Sequence, residues 1–179
     1  MDFSFPAVIA LLLLTGGKTD ELPVMLLCCV LHECGHLMMM LLLRRRPEAI
    51  TLYGGGIRIT PQVGRMGSQS GDIAVLLAGC AVNFLLAAAG YLASSMSPFT
   101  QTNLLLGVFN LLPFSYFDGG RVLNILTGGR GMTALRAVFM ILGGAYIIMT
   151  AVNGRMSISF LVTFMFIVAE EFLSGRNDK

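Results

Sequence analysis

The two histidines of this chain stand four residues apart, in the run His32-Glu33-Cys34-Gly35-His36. Residues four apart share one face of an α-helix, so both imidazoles can grip one metal ion. Glu33 follows the first of them, where a carboxylate can take a proton from water held at that metal. Two ligands and a general base from one helical turn are the chemistry of the H-E-x-x-H pattern in zinc hydrolases. No other histidine occurs in the 179 residues. The pair lies within an apolar run, Leu22 to Leu43, where an ionisable side chain is costly unless it has a partner or a task. Reading them as packing histidines leaves Glu33 buried with no stated partner.

A catalytic zinc usually holds three protein ligands and one water. The third must be an acid or a cysteine. Asp118 lies just past the helix break at Pro113, and Glu170 and Glu171 near the end of the last apolar run are the other candidates. Their plainer reading is a solvated helix end. Cys28, Cys29, Cys34 and Cys80 form no C-x-x-C pair and read as small buried hydrophobes, with Cys29 on the helical face of His32 and His36. Asn83 is a lone amide in the apolar run that contains Gly79-Cys80-Ala81-Val82-Asn83. An interhelical hydrogen bond and a catalytic role both suit it.

The elements that must position these residues are membrane helices. Hydrophobic residues make up 55% of the chain and charged ones 12%, a balance that a soluble surface could not tolerate. A net charge of +2 gives no footprint for nucleic acid. Six apolar segments are expected, near residues 5–14, 22–43, 73–93, 102–113, 132–152 and 158–173. The first is short and must thin the bilayer or be extended by its flanks. Met1-Asp2-Phe3 lacks a positive n-region, so this segment is expected to stay rather than be cleaved. The fold class is thus an all-α polytopic membrane protein forming a single domain over residues 1–179.

Between the second and third helices, Ala49 to Thr60 alternates Ile50 and Leu52, then Ile57 and Ile59, about Gly54-Gly55-Gly56. This predicts a small membrane-associated hairpin. It is either a plain loop or a sheet with an open edge that accepts an extended peptide at Leu52, Tyr53, Gly54, Gly55 and Ile57. With six spans, Arg44, Arg45, Arg46, Arg58, Arg65, Arg121, Arg130, Arg176 and Lys179 fall on one side, against Lys18 and Arg155 on the other. The positive-inside bias puts the hairpin and both termini in the cytoplasm. His36 lies eight residues before Arg44, about 12 Å below that boundary at 1.5 Å per residue.

His32-Glu33-Cys34-Gly35-His36, followed by Asn110-Leu111-Leu112-Pro113 and then Asp118-Gly119, resembles the site-2 proteases, zinc intramembrane metalloproteases with H-E-x-x-H in one helix and N-x-x-P-x(4)-D-G in a later one. Gly79 to Asn83 resembles the family's G-x-x-x-N element, with Cys80 where many members have proline. The resemblance covers roughly residues 22–125 and leaves no room for a PDZ or CBS domain. It is nearest to the minimal, sporulation-type bacterial branch.

The resemblance implies one Zn²⁺ per chain, bound by His32, His36 and Asp118, with Glu33 as general base and acid. It implies that Asn110, and with it Asn83, polarises the scissile carbonyl or holds the peptide. The implied substrate is a transmembrane or membrane-associated protein cut near the cytoplasmic face of a bacterial cell membrane. A homo-oligomer or a regulatory membrane partner is compatible with it. Three other readings remain open at this stage. A prenyl-protein-type membrane zinc protease would take a downstream glutamate as third ligand. A membrane protein with a vestigial site would bind zinc or a partner without cleaving. A zinc transporter would need metal-binding side chains along a path, which two histidines do not provide.

Overall fold

The computed structural model describes residues 22–45, 47–53, 56–61, 68–94, 96–115, 117–154, 161–162, 164–169 and 171. The expected segment at residues 5–14 and the residues Gly54, Gly55, Tyr116 and Glu170 lie outside these. The chain divides into two compact units, Met1–Asn110 and Leu111–Lys179.

In the first unit, the apolar run forms α1 (Leu22–Leu42), with Pro23 in its first turn, where a missing amide costs no helical bond. It ends where Arg44 takes the left-handed conformation, φ 53°, and the Arg45 amide donates back to the Met40 carbonyl. Arg45 pairs with Asp72 and donates to the Ser68 carbonyl at 3.3 Å, tying the end of α1 to the start of the next helix. Strands β1 (Pro47–Tyr53) and β2 (Gly56–Pro61) lie between, rich in the β-branched residues that suit a pleated ribbon. They pair antiparallel, with Leu52 opposite Ile57 and Tyr53 opposite Gly56.

Helix α2 (Gln69–Ser94) follows, then α3 (Pro98–Asn110). The sequence reading began α3 near Thr102. It starts four residues earlier because Ser97 caps it, its hydroxyl accepting from the Thr100 amide at 3.2 Å, with Pro98 in the first helical position. Gly35 of α1 faces the Ala78 carbonyl and the Val82 side chain of α2, where a Cβ would lie 2.8 and 2.9 Å from their atoms. Gly107 of α3 likewise faces the Phe84 ring. Glycines at both crossings let three helices pack closely in the manner of membrane bundles.

The second unit opens with the bend at residues 111–115, and continues with α4 (Asp118–Thr127) and α5 (Met132–Val152). Helical residues at 161–162, 164–169 and 171 follow. The sequence reading had no helix at α4. Its first turn lies so close to the bend that Cβ atoms on Gly119 and Gly120 would run into the Leu111 and Phe114 backbones. It ends at Gly128, φ 61°, whose left-handed conformation glycine adopts without steric cost. Gly143 of α5 makes room for the Phe164 ring.

Three helices among the described residues are long and apolar enough to cross a membrane: Pro23–Leu42, Gln69–Ala93 and Met132–Val152. At 13 residues α3 is about 20 Å long, short of a hydrocarbon core of about 30 Å.

Candidate metal centre

The first unit seats both histidines between two facing helices. Val75, Gly79 and Asn83 recur every four residues and form one stripe of α2. That stripe lies against His32 and His36 of α1. His32 Nδ1 meets Asn83 Oδ1 at 2.5 Å, and His36 Nδ1 meets the Val75 carbonyl at 2.7 Å. The pairing order is reversed along the two chains, so the helices run antiparallel. Gly79 sits between the two contacts. A Cβ there would lie 2.5 Å from His36 Nε2 and 2.7 Å from His32 Cε1, so only glycine leaves room for both rings. This is a physical account of the G-x-x-x-N spacing: the glycine admits the imidazoles, and the asparagine one turn later orients one of them.

The proton positions follow. A backbone carbonyl only accepts, so His36 Nδ1 carries its proton. In a neutral ring the lone pair is then on Nε2. The two Nε2 atoms are 3.1 Å apart. Two imidazole nitrogens at about 2.0–2.1 Å from a tetrahedral zinc stand about 3.3 Å apart. Metal-binding histidines usually give their other N–H to a carbonyl or carboxylate, as both rings do here to oxygen atoms. The rings are buried, at 4% and 8% exposure, and the donor set fits zinc.

Glu33 is half-buried on α1. Asn110 ends α3 and donates one of its two side-chain amide hydrogens to the Leu106 carbonyl at 3.0 Å, which orients the group. In the second unit, Asp118 is buried in the first turn of α4, 3.6 Å from the Arg121 guanidinium. Asp118 at a helix N-terminus gains from the positive end of the helix dipole.

Glu171 is committed within its own unit. Its carboxylate pairs with Arg136 at 2.9 Å and accepts from the Ser115 amide and hydroxyl at 3.0 and 3.1 Å. The solvated-end reading of this residue therefore gives way to a clamp on the bend that precedes Asp118. Among the cysteines, Cys28 and Cys80 are buried and Cys29 is half-buried, but Cys34 is exposed, contrary to the sequence reading. Leu52, Tyr53 and Ile57 have a described backbone, which places them at the end of the strand pair nearest the turn.

Sequence reasoning missed Asn103. It is fully buried on α3 and accepts from the Asn83 side-chain amide at 2.8 Å. Thr100, Asn103 and Gly107, at spacings of three and four, are the buried residues of α3, and that polar stripe was the available signal.

This helical fold, with an H-E-x-x-H pair seated on a G-x-x-x-N helix, defines a membrane metalloprotein with an imidazole-rich centre. No family model matches the chain. It is 30% identical over 197 residues to Rip3 of Mycobacterium tuberculosis, in strains Erdman and H37Rv, a protein whose name classes it as a zinc metalloprotease. The match covers 93% of this chain, and the chain spans about half the length of these relatives, 48%. The site-2 protease from Methanocaldococcus jannaschii shares the fold, with a TM-score of 0.61, 22% identity, and coverage of 93% of this chain and 83% of that one. The chain therefore has the fold of that site-2 protease. Its three long apolar helices make it a membrane protein.

Proposed function

We propose that this chain is a zinc-dependent intramembrane endopeptidase that cleaves a transmembrane or membrane-associated protein. One observation carries the reading: the two Nε2 atoms stand 3.1 Å apart on rings whose Nδ1 atoms are already held. His32 and His36 are two ligands of one zinc, and Asp118 is the third, supported by its N-x-x-P-x(4)-D-G position and its burial. When bound, zinc supplies Lewis-acid polarisation of a peptide carbonyl and activates water. Glu33 takes the proton from the attacking water and returns it to the leaving amine. Asn110 holds the peptide by its side-chain amide. The hairpin edge at Leu52, Tyr53, Gly54, Gly55 and Ile57 receives the unwound substrate strand. Asn83 bonds to His32 and Asn103, which supports a role in holding the ligand rather than the peptide.

The test is cleavage in a cell membrane. Tagged membrane-anchored precursors are co-expressed with the wild type or with Glu33→Gln. The expected result is a product band from wild type and a loss of at least about 10²-fold in the variant, with zinc still bound. A band unaffected by Glu33→Gln would sink the reading.

The chain is a site-2 protease and a multi-pass bacterial membrane protein with the hairpin on the cytoplasmic side. The basic residues support that orientation. Alkaline phosphatase inserted at Lys18 is expected to be active, and inserted at Arg65 silent. The opposite pattern would reverse the topology.

A further inference from the structure

We propose that Asn103 is a positioning residue that sets the tautomer of His32 through Asn83. The inference rests on the zinc ligation proposed above. A backbone carbonyl fixes the direction of a hydrogen-bond series through three buried side chains.

Asn103 Nδ2 is 3.0 Å from the Phe99 carbonyl and 3.1 Å from Cys28 Sγ. The carbonyl can only accept. A flipped Asn103 amide would set oxygen against oxygen at that distance, so the nitrogen must face Phe99. Asn103 Oδ1 then points the other way and can only accept. Asn83 Nδ2 donates to it at 2.8 Å, which fixes the Asn83 amide in turn. Asn83 Oδ1 is thereby aimed at His32 Nδ1, 2.5 Å away. His32 must carry its proton on Nδ1, and its lone pair lies on Nε2, the atom facing His36.

Burial gives this relay its hold on the Nδ1 side of the ring. Asn83, Asn103 and Cys28 are each 0% exposed and His32 4%, so bulk water cannot replace a lost partner. His36 reaches the same tautomer independently, from the Val75 carbonyl. The two rings of one site are thus set by separate devices, one by a backbone acceptor directly and one by a two-amide relay between helices α2 and α3. Loss of Asn103 frees the Asn83 amide to turn. Its nitrogen can then donate to His32 Nδ1, which puts the proton on Nε2 and removes that atom as a ligand.

With two histidines in the chain, ¹⁵N-histidine labelling of the zinc-free, full chain in detergent reads each ring separately. The wild type is expected to show both rings protonated on Nδ1. Asn103→Leu, which can neither accept nor donate, is expected to move His32 toward the Nε2–H form and leave His36 unchanged. Chelator competition should show zinc held about 10- to 100-fold more weakly. Asn103→Asp, whose neutral acid can donate to Phe99 and accept from Asn83, should restore both readouts. A wild-type His32 that carries no proton on Nδ1 overturns the proposal and needs no variant. So does a His32 ring unchanged in Asn103→Leu, or a shift shared equally by His36, which would mark general loosening. The ring spectra need no zinc and no substrate. A protein with the expected tautomers that neither binds zinc nor cleaves would refute the protease reading and leave the relay standing.

Discussion

At the scale of single residues, the centre depends on what Gly79 lacks. A methyl group there would lie against His36 Nε2, one of the two ligand atoms themselves. Gly79→Ala is therefore expected to abolish zinc binding, measured by metal content after purification, because the rings must move before the helices can. The added atom also lies in a buried helix crossing, where overpacking costs about 1–3 kcal/mol, so some loss of thermal stability should accompany it. Full zinc occupancy in the variant would show that the rings have room to spare. The His-Glu-x-x-His residues and Asn83 were legible in the sequence because each is a polar type in an apolar run. Val75 was not, since its contribution is a main-chain carbonyl that any residue could supply. Asn103 was hidden because the helix that carries it is short and weakly apolar, so a polar residue there draws no notice.

At the scale of elements, the long apolar runs fixed α1 to within one residue and placed α2 and α5, whereas the two short helices depended on local chemistry. Ser97-Pro98 starts α3, and Asp118-Gly119-Gly120 with Gly128 brackets α4. Glu171 was equally hard to read. Its partners Ser115 and Arg136 are 56 and 35 residues away in sequence, so no local pattern reveals the clamp. The clamp makes an energetic prediction. Arg136 and Glu171 are 18% and 12% exposed, and Arg136 also donates to the Pro113 carbonyl at 3.3 Å. Removing one partner leaves a largely buried charge alone, at a cost of about 3 kcal/mol. Arg136→Met or Glu171→Met should each lower the unfolding temperature in detergent. The double variant should recover much of the loss, because two apolar side chains leave neither charge stranded. A double variant that loses the sum of the two single losses would mean that the ion pair is not coupled.

At the scale of the whole molecule, the proposed endopeptidase has to present a peptide bond to a centre inside an apolar protein. A transmembrane helix keeps its carbonyls in its own hydrogen bonds, so a substrate must unwind before its scissile carbonyl is accessible. Unwinding within an apolar phase strands backbone donors and acceptors, each at a cost of several kcal/mol. A strand edge can take them up. The β1–β2 pair follows directly on the helix that bears His32 and His36, and it is the strand pairing present among the described residues. If the substrate adds to this edge through β1, Leu52→Pro removes one amide and bends the strand without touching the metal ligands. Cleavage of a membrane-anchored precursor should then fall by at least about tenfold, the equivalent of one lost hydrogen bond of about 1.4 kcal/mol. Zinc content should stay at the wild-type level, since the rings are held by α2. A substrate pre-unwound by helix-breaking residues near its cleavage site still needs the edge, so the defect should persist for it. Unimpaired cleavage by Leu52→Pro would remove the edge from the mechanism and turn attention to Asn110 as the peptide's anchor.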